Sequence, residues 1–118
     1  MPLISVIVPV YNEAKTIRQI VEKIYAVNID KEIIVIDNCS TDGTQKILGE
    51  LHYDNLKIIY HSSNRGKGAS FLTGLDNAAG EYNVVHDADL EYDPNDYLRF
   101  FDEIKDGKVH VGSGARFV

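Results

Sequence analysis

Leu3-Ile4-Ser5-Val6-Ile7-Val8-Pro9-Val10 is a near-continuous apolar, β-branched run, and the polar triplet Tyr11-Asn12-Glu13 follows it at once. A strand with one wet face alternates apolar and polar residues. A strand covered on both faces does not, so this run predicts an inner strand of a parallel sheet. Working outward, Ile17, Ile20, Val21, Ile24 and Val27 recur at helical spacing between Glu13 and Val27 with charged residues among them, which predicts an amphipathic helix. Glu32 to Asp37 repeats the buried-strand pattern, and Ser40-Thr41-Asp42-Gly43 offers capping side chains to a second helix carrying Ile47, Leu48 and Leu51. Leu56 to Tyr60 reads as a third strand. Asn64-Arg65-Gly66-Lys67-Gly68 then forms a turn into a helix with Phe71, Leu72 and Leu75, ended by Ala78-Ala79-Gly80. Glu81 to Val85 is a fourth strand, and the acidic run Asp87 to Asp93 leads to Pro94, which suits a helix's first turn. That helix would bury Tyr97, Leu98, Phe101 and Ile104, and Val109 to Val111 would be a fifth strand.

Strict alternation of strand and helix implies a three-layer α/β/α sandwich with a mainly parallel sheet and right-handed crossovers, built as one domain over residues 1–118. Ligands of such sheets bind beyond the carboxyl ends of the strands. That rule gathers Tyr11, Asn12 and Glu13, then Asp37 and Asn38, then Asp87 and Asp89 on one rim.

Composition narrows the chemistry. With 118 residues and 44% apolar content the chain can bury a core, and a net charge of -6 without clustered Lys and Arg argues against a nucleic-acid partner. Cys39 stands alone, so no internal disulfide forms. The opening Met1-Pro2-Leu3-Ile4 has no basic leader, and its apolar run is too short to cross a bilayer. A cytoplasmic chain is the expectation.

Asp87 and Asp89 stand two apart at a strand end, so in extended backbone their carboxylates share a side and can share a cation. Oxygen ligands completed by water and phosphate suit Mg²⁺ or Mn²⁺. Glu91 continues the series as a further candidate ligand. Taken alone, an Asp-x-Asp fits a solvated acidic loop better than a metal site, so the pattern by itself is a weak signal. Asp37 can accept a hydrogen bond from a base or a ribose hydroxyl, or it can cap the following helix. Turn chemistry already explains Asp42 and Thr44. Arg65 and Lys67 lie in a glycine-flanked turn entering a helix, a setting that favours an anion and equally describes a surface turn; the Walker spacing is absent. His52, His61, His86 and His110 lack zinc-site spacing, and His86 is expected to pack at its strand end. Cys39 is expected to be a small packed residue.

With these positions laid out, the sequence resembles the family 2 glycosyltransferases, nearest to the branch of dolichyl-phosphate mannosyl- and glucosyltransferases. Five blocks occur in the family's order: Val8 to Glu13, Ile36 to Thr44, Asn64 to Gly68, Asp87 to Pro94, and Gly114 to Phe117. The resemblance implies a GT-A fold and inverting transfer of a sugar from a UDP- or GDP-linked donor to an acceptor, a polyprenyl phosphate in the nearest branch. It implies that Pro9, Tyr11 and Glu13 line the nucleoside pocket, that Asp37 contacts the base, and that Arg65 and Lys67 lie near the base or phosphates. Asp87, Ala88 and Asp89 would meet the diphosphate, with Asp87, Asp89 and Glu91 holding the ion.

Two departures from the family pattern stand out. Asn38-Cys39 replaces the Asp-Gly or Asp-Asn of many relatives, and Gly112-Ser113 interrupts the last strand. Similar transferases continue for about a hundred further residues, a domain's worth, so the expectation is the N-terminal portion of a GT-A domain. The acceptor site and general base would then lie outside it, truncated sheet surfaces could self-associate, and the parent would meet the cytoplasmic membrane face. A donor-binding fragment without activity is the nearest alternative. A receiver-type signalling domain would need an acidic pair after the first strand and a lysine after the fifth. A sugar-nucleotide pyrophosphorylase would need a glycine-rich basic loop after the first strand. Neither pattern is present.

Overall fold

The computed structural model describes residues 2–86 and 115–117. Five strands, β1 (Ile4–Val10), β2 (Lys31–Asp37), β3 (Leu56–Tyr60), β4 (Tyr82–His86) and β5 (Ala115–Phe117), form one sheet in the order β3-β2-β1-β4-β5. Three helices connect them: α1 (Ile17–Ala26), α2 (Thr44–Gly49) and α3 (Lys67–Asp76). All residues of β1 and β2 are buried, as their unalternating sequences require. The parallel order with β1 between β2 and β4 differs from the 2-1-3-4-5 order of receiver-type domains, so the expected sandwich stands and that alternative falls.

The pleat sends alternate side chains to opposite layers. Ile4, Val6, Val8 and Val10 of β1, with Ile33 and Val35 of β2, join Val84 and meet Ile17, Val21, Ile24 and Leu48 of α1 and α2. Ile7, Ile34 and Ile36 face the other way, with Ile59, Leu75 and Ala78 packed against them. Each such fully buried aliphatic side chain contributes about 1.5–3 kcal/mol.

Of the residues α3 was expected to bury, Leu75 packs against the sheet, Phe71 is half-buried and Leu72 is exposed, and the closest approach is made by smaller residues. Ser70 and Gly74 are its buried positions, and Leu72 is 60% exposed. A Cβ on Gly74 would lie 2.5 Å from Ile7 Cγ2 and 3.0 Å from Ile36 Cδ1, so α3 rides directly on the isoleucines. At the opposite rim Glu32, buried under the start of β4, accepts hydrogen bonds from Ser5 Oγ and the Ala79 amide. It also pairs with Lys57 at 2.9 Å. Ser5 Oγ in turn accepts the Gly80 amide at 2.8 Å. Burial alone would raise the Glu32 carboxyl, but the bonds from Ser5 and Ala79 and the Lys57 charge outweigh it and hold it below its ordinary value.

Two expectations needed revision. The first helix starts at Ile17 rather than Glu13, because residues 14–16 form a turn closed by Thr16 and Ile17 amides on the Glu13 carbonyl. Ala115–Phe117, given no secondary structure from the sequence, is strand β5, antiparallel to β4 with Phe117 opposite Val84. The expected helix after Pro94, the expected strand Val109 to Val111 and the Gly112-Ser113 break lie outside the described residues.

Candidate functional site

The chain winds outward from β1 to β2 and β3, then returns to place β4 on the other side of β1. A reversal of this kind marks the carboxyl ends of β1 and β4 as the usual place for a ligand in such sheets. The ladder between β1 and β2 runs to Val10↔Asp37, whereas that between β1 and β4 stops at Ile7↔Val85. Pro9, buried two residues further on, has no N–H to offer another rung. Among the described residues the β1–β4 ladder thus ends where the family-like block begins.

Beyond β1 and β2 the two loops are braced against each other. Asn12 has φ 53° and Cys39 φ 67°, left-handed conformations that turn each chain over its strand end; asparagine tolerates this better than most residues. The Asn12 amide donates to Ser40 Oγ at 2.8 Å, and Asn12 Oδ1 accepts the Thr41 amide at 2.7 Å. The amides of Glu13 and Ala14 donate to Thr44 Oγ1 at 3.0 Å and Asp42 Oδ2 at 3.2 Å. Asp42 also accepts the Thr44 amide and hydroxyl, as turn chemistry predicted. The Thr44 hydroxyl first, with the Ala14 and Thr44 amides, holds the exposed Asp42 carboxyl below its usual range.

Asp37 is the hinge of this arrangement. It is fully buried, its Oδ1 accepts the Ser40 hydroxyl at 2.5 Å, and its Oδ2 accepts the Ser40 amide at 3.2 Å and Gln45 Nε2 at 2.8 Å. The carboxylate thus holds Ser40, and Ser40 holds Asn12. Asp37 ends β2 on the rim and its oxygens organise the following loop, while α2 itself begins after Gly43 with no side-chain cap, so the expected capping by Asp37 is replaced by bonds to Ser40 and Gln45. Tyr60, its register partner on β3, has its phenol pushed up by burial and by the Asp37 charge. Tyr11 is 45% exposed on the rim, and Glu13 is half-buried beside it.

The residue that follows β2, Asn38, organises the Arg65 turn. Asn38 Oδ1 accepts the Arg65 amide at 2.9 Å and lies 3.2 Å from His61 Nδ1. Asn38 Nδ2 donates to Asn64 Oδ1 at 2.8 Å. Arg65 and Lys67 are exposed at the entrance of α3. Cys39 is half-buried and directs its thiol to the Ser62 carbonyl at 3.7 Å. His86, ending β4 on the same face as Val84, is buried, and that burial pushes its imidazole down to about 4, so it is neutral at pH 7.

The structure therefore brings Pro9, Tyr11, Glu13 and Asp37 to one rim. Asp87, Ala88, Asp89 and Glu91 lie outside the described residues, beginning directly after His86 in sequence. Among the described residues no group of three or more His, Cys, Asp or Glu side chains could hold a metal ion. No helix among them is long and apolar enough to cross a membrane. The sequence reading missed Ser40, His61, Asn64 and Thr73 as organisers. For Asn12 the signal was an asparagine two residues past a strand end, a residue suited to left-handed backbone.

A family model described as glycosyl transferase family 2 matches residues 5–118. The chain is 30% identical over 118 residues to the dolichol-phosphate mannosyltransferase of Pyrococcus furiosus, covering 98% of this chain and 33% of that protein. Among solved structures it is similar to mannosyltransferase PcManGT from Pyrobaculum calidifontis in complex with GDP-Man and Mn²⁺. The TM-score is 0.73 at 36% identity, over 82% of this chain and 30% of that one. It is also similar to S. aureus TarS in complex with UDP-GlcNAc, with a TM-score of 0.73 at 31% identity over 86% of this chain and 31% of that one. The chain spans about a third of the length of these relatives.

Proposed function

The chain belongs to glycosyl transferase family 2, and on that premise we propose that it is the donor-binding part of an inverting, GT-A-type transferase. Its donor is a UDP- or GDP-linked sugar, and the acceptor of the whole protein is a polyprenyl phosphate. The observation that carries this reading is the pair of cross-braced loops beyond β1 and β2, at the carboxyl ends of the strands. The relatives that hold GDP-Man and UDP-GlcNAc support the donor class, and the dolichol-phosphate relative supports the acceptor.

In this reading Tyr11 lies against the base, Pro9 and Glu13 shape the pocket floor and side, and Asp37 holds the loop that meets the nucleoside and offers it a further acceptor. Arg65 and Lys67 face the anionic end of the donor. Asp87, Ala88 and Asp89 meet the diphosphate, and Asp87 and Asp89, with Glu91 as a third candidate, hold Mg²⁺ or Mn²⁺. Their all-oxygen donor set suits either ion, since both take a few carboxylates and complete their shells with phosphate and water. When bound, such an ion supplies charge neutralisation for the departing diphosphate. The described residues do the rest: they fix the two loops and present the cationic turn. None of them is assigned as the base that activates the acceptor.

The test is titration calorimetry of UDP- and GDP-sugars with Mn²⁺, on the chain and on Asp87→Ala/Asp89→Ala. Metal-dependent heat should be present in the first and lost in the second. Metal-dependent binding that survives the double substitution would refute the assignment.

A further inference from the structure

Asn38 directly follows β2, and its amide is used on both sides. The backbone amides nearby fix how every polar group in the cluster is oriented, because a backbone N–H can only donate. The Gly66 amide lies 2.9 Å from Asn64 Oδ1, so that atom is the acceptor, and the Asn38 group 2.8 Å from it must be the NH₂. Asn38 then turns its oxygen to the Arg65 amide at 2.9 Å, a second, independent donor that requires the same orientation. With that oxygen as acceptor, His61 Nδ1 at 3.2 Å must carry a proton. In the neutral ring Nε2 is then left to accept the Thr73 hydroxyl of α3 at 2.9 Å. Asn38 and His61 are both buried, so these bonds are shielded from competing water.

Resting on the donor reading above, we infer that Asn38 is a positioning residue for the diphosphate end of the donor. Backed by His61 and Thr73, it clamps the turn 62–66 and so sets where Arg65 and Lys67 meet the anion. The clamp acts at the point where the turn needs it most. Gly66 has φ 88°, a conformation reserved for glycine, and α3 begins at the next residue, Lys67. A turn that crosses so abruptly into a helix has many alternatives, and the carboxamide of Asn38 removes them by holding Asn64 and Arg65 together.

Two charge-matched substitutions test this. Asn64→Asp keeps the oxygen that accepts from both Asn38 and Gly66, so the clamp survives. Asn38→Asp sets a carboxylate oxygen against Asn64 Oδ1 at the same 2.8 Å separation, so that contact becomes repulsive. Both add one negative charge within the same cluster, so a general electrostatic penalty on an anionic ligand is common to them. With UDP or GDP and Mn²⁺ as the probe, titrated at pH 8, Asn38→Asp should weaken binding about tenfold and Asn64→Asp by less than about threefold. In an Arg65→Ala/Lys67→Ala background the Asn38→Asp effect should shrink to less than about threefold, because the side chains it positions are gone.

Hydrogen exchange reads the clamp without ligand. The Arg65 and Gly66 amides should be protected in the wild type and in Asn64→Asp, and should exchange faster in Asn38→Asp. Equal binding losses in the two variants, an undiminished Asn38→Asp effect in the double-alanine background, or identical exchange would each overturn the inference. A wild-type chain that binds neither nucleotide would instead refute the donor reading, and this role with it, whatever the exchange shows.

Discussion

Replacing Asp37 by asparagine tests whether the site's buried carboxylate works by holding the loop or by touching the ligand. Asp37 accepts three hydrogen bonds, two from Ser40 and one from Gln45. A bond to a charged acceptor contributes about 1.5–3 kcal/mol and one to a neutral acceptor about 0.5–1.5 kcal/mol. Each bond kept by the asparagine therefore loses roughly 1 kcal/mol. The asparagine can turn its oxygen to the Ser40 amide and Gln45 and its NH₂ to the Ser40 hydroxyl, which then accepts where it donated, so all three contacts become neutral ones. The long 3.2 Å bond from the Ser40 amide counts for least, and a total loss of about 2 kcal/mol is expected. For a domain of this size that lowers the melting midpoint by roughly 10 °C.

Equilibrium urea unfolding of wild type, Asp37→Asn, Ser40→Ala and the double variant measures the loss. Because the two residues share their bonds, the double variant should cost less than the sum by about 1 kcal/mol or more. Nucleotide binding should fall in both single variants, since Ser40 also holds Asn12. If Asp37→Asn unfolds at the wild-type urea concentration yet loses nucleotide, the carboxylate contacts ligand and the loop-holding argument is wrong.

Other outcomes follow from the packing and the charges. Gly74→Ala should destabilise the chain, because overpacking against Ile7, at about 1–3 kcal/mol, exceeds the helix-propensity gain of about 1 kcal/mol. Adding it to Ile7→Ala should recover stability by filling the space left, and strictly additive unfolding energies would contradict the close approach of α3. Glu32 titrates below its ordinary value in the folded chain. The stability it contributes is therefore complete above the unfolded glutamate value of about 4.3 and is lost as the pH falls through the lower folded value. Unfolding measured across that acid range should show a shallower pH dependence in Glu32→Gln, and an unchanged slope would remove Glu32 from the account.

The inner strands were legible because burial on both faces leaves no alternation to obscure them, as in Ile4 to Val10 and Lys31 to Asp37. β5 was not legible: Ala115-Arg116-Phe117 is too short to carry a period, and only its partner β4 makes it a strand. The face of α3 misled for a different reason. Hydrophobic periodicity finds large side chains, while the contact is made where Ser70 and Gly74 let backbone approach the sheet. At the site, rim positions followed from strand ends, but the bonds among Asn38, His61, Arg65 and Thr73 join residues 12 to 27 apart. Pairings of common polar residues at such separations leave no local pattern to find.

The bracing between the loops after β1 and β2 bears on how this site can be altered, by evolution or at the bench. Asn12 depends on Ser40 and Thr41, while Glu13 and Ala14 depend on Thr44 and Asp42. The two segments therefore behave as one inheritable part. A graft that exchanges residues 11–14 without 40–44, or the reverse, leaves unmatched donors and acceptors on both sides of the seam. Chimeras intended to change which nucleoside is accepted should transplant the pair together.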